Sequence, residues 1–217
     1  MSNFASRRKM MVDTQIRPSD VTKFPIIEAM LSVPREAYMP DGRRDSAYVG
    51  KNVPISRGRV VLDPLTFARM LDVLDLQPTE LVLDLGCGPG YSTAIAGRIT
   101  GTVVAVEEDE ELARRAQDIL SNQGVDNAIV IHGSLADGAP KYAPYDAMMI
   151  QGGIGQLPDS LADQLREGGR IAAIHVKGHL GTLCVGYKLD GVINWRRAFN
   201  AMAPVLPGFA RPVEFAL

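Results

Sequence analysis

From residue 63 onward the chain alternates between two hydrophobic periods. Phe67, Met70, Leu71 and Leu74 fall at helical spacing behind Asp63-Pro64, a capping residue followed by a proline suited to the first turn of a helix. Short apolar runs then alternate with helical stretches. LVLDL (81–85), TVVAVE (102–107), AIVIHG (128–133), DAMMIQ (146–151) and GRIAAIH (169–175) read as strands, and 90–99, 109–121 and 158–166 as helices. Two further strands are expected near 181–189 and 192–203. Strand–helix alternation predicts right-handed crossovers and a mostly parallel α/β sheet covered on both faces. The last strands follow one another without a helix, so one of them is expected to run antiparallel.

Upstream the periodicity is weaker. Residues 4–16 read as a polar-rich helix that ends before Pro18, and 24–33 (FPIIEAMLSV) as a short helix with Pro25 in its first turn. Residues 34–62, with prolines at 34, 40 and 54 and glycines at 42, 50 and 58, are expected to be irregular. A stretch of that length inside a domain is usually functional. The expected division is an N-terminal helical extension with a covering loop, 1–62, followed by a ligand-binding domain, 63–217.

Composition removes several alternatives. A formal net charge of −2 provides no global field for nucleic acid or an anionic membrane. Two cysteines, Cys87 and Cys184, make no disulfide framework, and no Cys/His cluster has metal-binding spacing. No run approaches 18 apolar residues, and the first residues lack the apolar core of a signal peptide. The expectation is a cytoplasmic protein, monomeric or homodimeric, with no metal.

The chemistry concentrates at Asp84–Gly90. Strand 81–85 runs into Gly86-Cys87-Gly88-Pro89-Gly90 and then a helix. Glycines there permit positive φ and close approach of a ligand to the backbone. The spacing is GxGxG, not the GxGxxG of dinucleotide folds, and Tyr91 follows Gly90, which suits a methionine tail better than a pyrophosphate. Asp84 can accept hydrogen bonds from an α-ammonium. Glu107 ends the next strand, roughly 20 residues on, where an acid takes ribose hydroxyls. Together these point to S-adenosyl-L-methionine. Cys87 is expected to pack and not to react, and His132, His175 and His179 read as structural or surface histidines.

With this loop in place the chain resembles the protein-L-isoaspartate O-methyltransferase family. VPREAYMP (33–40), AYVGKNVPISRGRVVLDP (47–64), VLDLGCGPGYSTA (82–94), YAPYDAMMI (142–150) and LPDSLADQLREGGRIA (157–172) carry the resemblance. It implies a Rossmann-like class I methyltransferase with a seven-stranded sheet. It also implies methyl transfer to the carboxylate of an isoaspartyl residue in a damaged peptide or protein. The cofactor contacts implied are Asp84, Gly86, Cys87, Gly88, Gly90, Tyr91, Glu107, Glu108, Ser134, Leu135 and Gln151.

Three departures stand out. Where the family's substrate loop resembles G-Q-T-I-S-Q-P, this chain has Gly58-Arg59-Val60-Val61-Leu62-Asp63-Pro64, so Val60 and Leu62 replace both hydroxyls. Arg59 could supply a new carboxylate contact through its planar fork. Gly133-Ser134-Leu135 replaces the family's G-D-G, and Gln151-Gly152-Gly153-Ile154-Gly155 replaces its run of small residues. Arg59, Val60 and Leu62 are the acceptor-loop candidates, with no catalytic base identified. Alternatives are the same fold with another carboxylate or small-molecule acceptor, or a cofactor-binding module without turnover.

Overall fold

The computed structural model describes residues 3–211. Its main sheet has the order β5-β4-β3-β6-β7-β8-β9. The strands are β3 (Leu81–Leu85), β4 (Thr102–Glu107), β5 (Ala128–His132), β6 (Tyr145–Ile154), β7 (Leu165–Lys177), β8 (Leu180–Leu189) and β9 (Val192–Asn200). β3 to β7 pair in parallel, and β8 is antiparallel to both its neighbours, so it is the one reversed strand. From β3 the chain steps to β4 and β5 on one side, then crosses to β6 on the other. That reversal leaves a crevice beyond the carboxyl ends of β3 and β6, where open α/β sheets bind ligands.

Alternate residues of the central strands enter two apolar clusters. Val82, Ala147, Met149, Ala172 and Ile174 face one way, with Phe67 and Leu71 of α3 (Pro64–Leu74) and Ala94 and Ile95 of α4 (Tyr91–Gly97). Leu83, Leu85, Met148, Ile150 and Ile171 face the other, with Leu161 of α6 (Asp159–Gln164). Burial on both faces explains why these strands read as continuous apolar runs. The helix between β4 and β5, α5 (Glu110–Asn122), begins where the Asp109 side chain accepts from Leu112 N at 3.0 Å. It buries Leu112, Ala113, Ala116 and Leu120, one stripe of its circumference. Asp63 caps α3 as its position predicts, accepting from Thr66 N at 2.9 Å.

The N-terminal region is more ordered than its sequence suggests. α1 (Phe4–Met11) continues as a π turn over Val12–Ile16 and a 3-10 turn over Arg17–Ser19, so the helical path runs through Pro18 instead of stopping before it. Pro18 lies in the first turn of the 3-10 segment, where a missing N–H costs little. α2 (Phe24–Ser32) follows. The stretch 34–62 is not irregular: it holds two 3-10 turns, Arg35–Tyr38 and Asp41–Ser46, and a hairpin of β1 (Val53–Ser56) and β2 (Arg59–Val61). Gly58, at φ +71°, makes the hairpin turn. Met11, Ile16, Met30 and Tyr38 join the same cluster as α3 and α4, so the extension packs onto the sheet's own core.

Boundaries also shift at the other end. The predicted helix 158–166 is shorter because Leu165 already pairs with Tyr145, and the predicted strand 146–151 extends to Ile154. Beyond β9 the chain crosses back over the end of β6. Gly153 N donates to Pro204 O at 2.7 Å and Leu206 N to Gly153 O at 2.9 Å.

Candidate functional site

The glycine loop follows β3 directly. Gly86, Gly88 and Gly90 all have positive φ (+75°, +56° and +93°), so the GxGxG spacing is a backbone requirement. Gly86 N donates to Val106 O at 2.8 Å, tying the loop to the end of β4. Gly90 is also needed for space, since a Cβ there would lie 3.3 Å from Ala116 and Leu120 of α5.

Asp84, fully buried, stands on β3 just before the loop. Its Oδ2 accepts from Ser92 Oγ at 2.6 Å and Thr93 Oγ1 at 2.7 Å, and its Oδ1 from Gln151 Nε2 at 2.9 Å. Burial pushes the carboxyl up to about 6. The hydrogen bonds from Ser92, Thr93 and Gln151 oppose that rise, and the nearby Glu107 charge adds to it. Gln151 is thus not a strand-end residue: β6 continues past it, and it is buried against Asp84.

Glu107 ends β4 and is also fully buried, in spite of its place in the acidic run EEDEE. Its Oε1 accepts from Arg59 Nη1 at 2.7 Å, Glu108 N at 2.9 Å and Asp109 N at 3.1 Å. Its Oε2 accepts from Arg59 Nη2 at 2.7 Å and Gly88 N at 2.7 Å. Five donors on one carboxylate exceed its roughly four lone-pair sites. Arg59 therefore turns its fork inward to the acid expected to hold ribose, and its Nε is buried without a partner.

The remaining sequence-predicted residues divide. Cys87 is buried in the loop, with its thiol pushed well above the ordinary value by burial, which fits packing. Leu135 is buried in the cluster that holds Leu83, Leu85 and Leu206. Ser134 is half-buried. The Glu108 side chain is exposed; its carbonyl meets His132 Nε2 at 3.1 Å. The Tyr91 ring does not extend along the crevice. It packs among Tyr38 and Phe67, with the Arg35 guanidinium 4.6 Å from its centroid.

Val60, Leu62, Arg35, Phe67, Tyr91 and Gln151 are among the residues lining a cavity of about 10 Å³ beside the glycine loop, room for about one water. Among the described residues no histidine lines it.

Five contributors were not singled out from the sequence. Arg35 is fully buried, donates to Ala47 O at 2.7 Å and Leu62 O at 2.6 Å, and so holds the acceptor loop by its backbone. Its Nη1 has no partner, and burial lowers its pKa. Leu206 stands against two glycines of the crevice: a Cβ on Gly86 would lie 3.3 Å from it, and one on Gly152 2.6 Å. Ile55 covers Gly88, whose Cβ would lie 2.7 Å from it. Ser92 and Thr93, in the first turn of the helix after the loop and eight and nine positions beyond Asp84, were the one pair open to prediction.

A sequence model of the protein-L-isoaspartate(D-aspartate) O-methyltransferase (PCMT) family matches residues 6–185. The chain belongs to this family. A protein-L-isoaspartate O-methyltransferase 2 of Pelobacter propionicus is 37% identical over 171 residues, covering 79% of this chain and 76% of that one. A protein-L-isoaspartate O-methyltransferase 1 of Rhodopseudomonas palustris is 38% identical over 170 residues, covering 78% and 69%. The fold agrees: a solved protein-L-isoaspartate O-methyltransferase superposes with a TM-score of 0.83 at 21% identity, covering 94% of this chain and 67% of that one. A Plasmodium falciparum protein described as the same enzyme, solved with S-adenosyl-L-homocysteine, superposes with a TM-score of 0.79 at 21% identity, covering 95% and 99%.

The donor set in the crevice fits an adenosyl amino-acid cofactor: two buried carboxylates, Asp84 and Glu107, on either side of a loop of positive-φ glycines. Arg59 and Leu206 lie against Gly86 of that loop, and Ile55 lies against Gly88.

Proposed function

We propose that this family member is an S-adenosyl-L-methionine-dependent O-methyltransferase acting on a peptide or protein carboxylate of the isoaspartyl type. The observation that carries this reading is the Asp84–Glu107 pair across the glycine loop at the sheet's switch point. Asp84 would receive the amino-acid end of the cofactor, Glu107 the ribose, and Leu135 with Ser134 the adenine side. When bound, the cofactor supplies an electrophilic methyl group.

The protein's task is then alignment. An acceptor carboxylate with a pKa near ~4 is already ionised at neutral pH and needs no base. What it needs is placement, with reacting atoms roughly 3–3.5 Å apart. Arg35 contributes by fixing the Leu62 carbonyl, and with it the acceptor loop. Asp84 is unsuited to serve as a base, because Ser92, Thr93 and Gln151 all donate to it. The residues before 63 would form the cover on the acceptor side, and those from 63 onward the cofactor domain. We place the protein in the cytoplasm as a monomer or homodimer. Among the described residues no helix is long and apolar enough to cross a membrane.

A second reading, the same fold with a different acceptor, is favoured by one observation. Val60 and Leu62 bring no hydroxyl to the cavity from the acceptor loop; its lining hydroxyls are those of Tyr91 and of Ser92, the latter committed to Asp84. Incubation with labelled cofactor and an isoaspartyl peptide separates the two. A base-labile methyl ester supports isoaspartyl transfer; label on other cell-extract carboxylates alone supports the second reading.

A further inference from the structure

We propose that Arg59 is an internal competitor for the cofactor's place on Glu107, so that the β1–β2 hairpin must lift before the cofactor binds. This rests on the cofactor reading above. Both Glu107 oxygens already hold one Arg59 N–H each at 2.7 Å, and the other donors, Gly88 N, Glu108 N and Asp109 N, are backbone groups fixed by the loop. Two ribose hydroxyls can reach those oxygens only by displacing the guanidinium. The side chains of the pair are 6% and 0% exposed, so the contact is almost wholly removed from solvent.

The hairpin covers more than the ribose acid. Ile55, on its other strand, touches Gly88, while Arg59 Nη2 lies 3.1 Å from where a Gly86 Cβ would be. Arg59 and Ile55 would therefore leave together. The hairpin forms a separate two-stranded sheet, so it can lift without breaking a main-sheet ladder. Its closed state is imperfect as well, because Arg59 Nε is buried with no acceptor.

Once displaced, Arg59 becomes a free guanidinium adjoining Val60, which lines the acceptor cavity. Cofactor binding thereby frees a cation on the hairpin strand that also supplies Val60 to the acceptor cavity. By linkage, an acceptor carboxylate that pairs with the released Arg59 tightens cofactor binding by the same factor.

The test is calorimetric titration of S-adenosyl-L-homocysteine into the full chain, wild type against Arg59→Gln and Arg59→Lys. Loss of a charge-assisted fork at Glu107 corresponds to about tenfold or more in affinity. R59Q is expected to bind at least about tenfold tighter than wild type, with R59K between them because it keeps one contact and loses the fork. Hydrogen exchange of peptides spanning 53–61 should speed up when the wild type is saturated. Equal affinities for all three proteins, or an unchanged hairpin on saturation, overturn the competitor and leave the cofactor reading standing. Should R59Q fail to fold, R59K binding no tighter than wild type overturns it equally. No heat with any of the three overturns the cofactor reading, and this proposal with it.

Discussion

Arg59 and Glu107, 48 positions apart, meet through two parallel N–H···O bonds of 2.7 Å, both side chains almost wholly removed from solvent. The pair links a surface hairpin to the end of a central strand. It places a guanidinium on the carboxylate that the sequence marks for a ligand.

The two halves of this pair are not equivalent. Glu107 keeps three backbone donors when Arg59 is removed, but Arg59 keeps no hydrogen-bond partner when the carboxylate is removed. Glu107→Gln is therefore expected to destabilise the fold by about 3–5 kcal/mol, and Arg59→Gln by clearly less. Urea denaturation of both variants and the double variant checks this. A cost for R59Q equal to that for E107Q would refute the asymmetry.

Asp84 carries a pH dependence with a definite sign. Its carboxyl rises from 3.8 to about 6 in the folded state, so the folded chain binds this proton more tightly than the unfolded one. The stability tied to it is complete below about pH 4 and is lost as pH rises through 6, an effect of about 3 kcal/mol. Denaturation of wild type and Asp84→Asn across pH 4–7.5 should show the wild type losing ground with rising pH relative to the variant. Cofactor affinity should run the other way. Below pH 6 the carboxyl is increasingly neutral and its hold on an ammonium weakens, by up to about tenfold per pH unit. A flat titration series between pH 5 and 7 would count against Asp84 as the ammonium partner.

Arg35 acts on the acceptor loop through backbone carbonyls. Replacing it with methionine retains most of the buried volume and leaves Ala47 O and Leu62 O unpaired, at about 1–3 kcal/mol each. The expected result is a lower urea midpoint and faster proteolysis within 47–62. An unchanged midpoint would show that the two carbonyls find other donors.

The acceptor loop's own face of the cavity, Val60 to Leu62, carries no hydroxyl and can be rewritten. Val60→Thr with Leu62→Ser restores the family's two hydroxyls at a site walled by Val60, Leu62 and Phe67. If hydroxyls are all that is missing, kcat/KM for an isoaspartyl peptide should rise about tenfold to hundredfold. No gain would show that the pocket's shape, and not its donors, has diverged.

Much of this was legible in the chain. Apolar runs buried on both sheet faces made β3, β4, β6 and β7 readable, and Asp63-Pro64 and the positive-φ glycines were readable because local backbone geometry demands those residue types. The hairpin at 53–61 was not read, although Arg57-Gly58 between two short apolar runs is a turn signal. Its strands are only four and three residues long and, among the described residues, pair only with each other.

The sequence by itself determined the sheet, the glycine loop, and Asp84 and Glu107 at adjoining strand ends. These follow from periodicity and from φ, which neighbouring residues impose. The tertiary structure alone decided what faces those carboxylates: Arg59 on Glu107, Leu206 against Gly86 and Gly152, Arg35 beneath the acceptor loop. Each contact joins positions 27 to 120 residues apart, and nothing in local spacing encodes which side chain fills a crevice. Only the packing of hairpin and C-terminal segment over the sheet's end determines it.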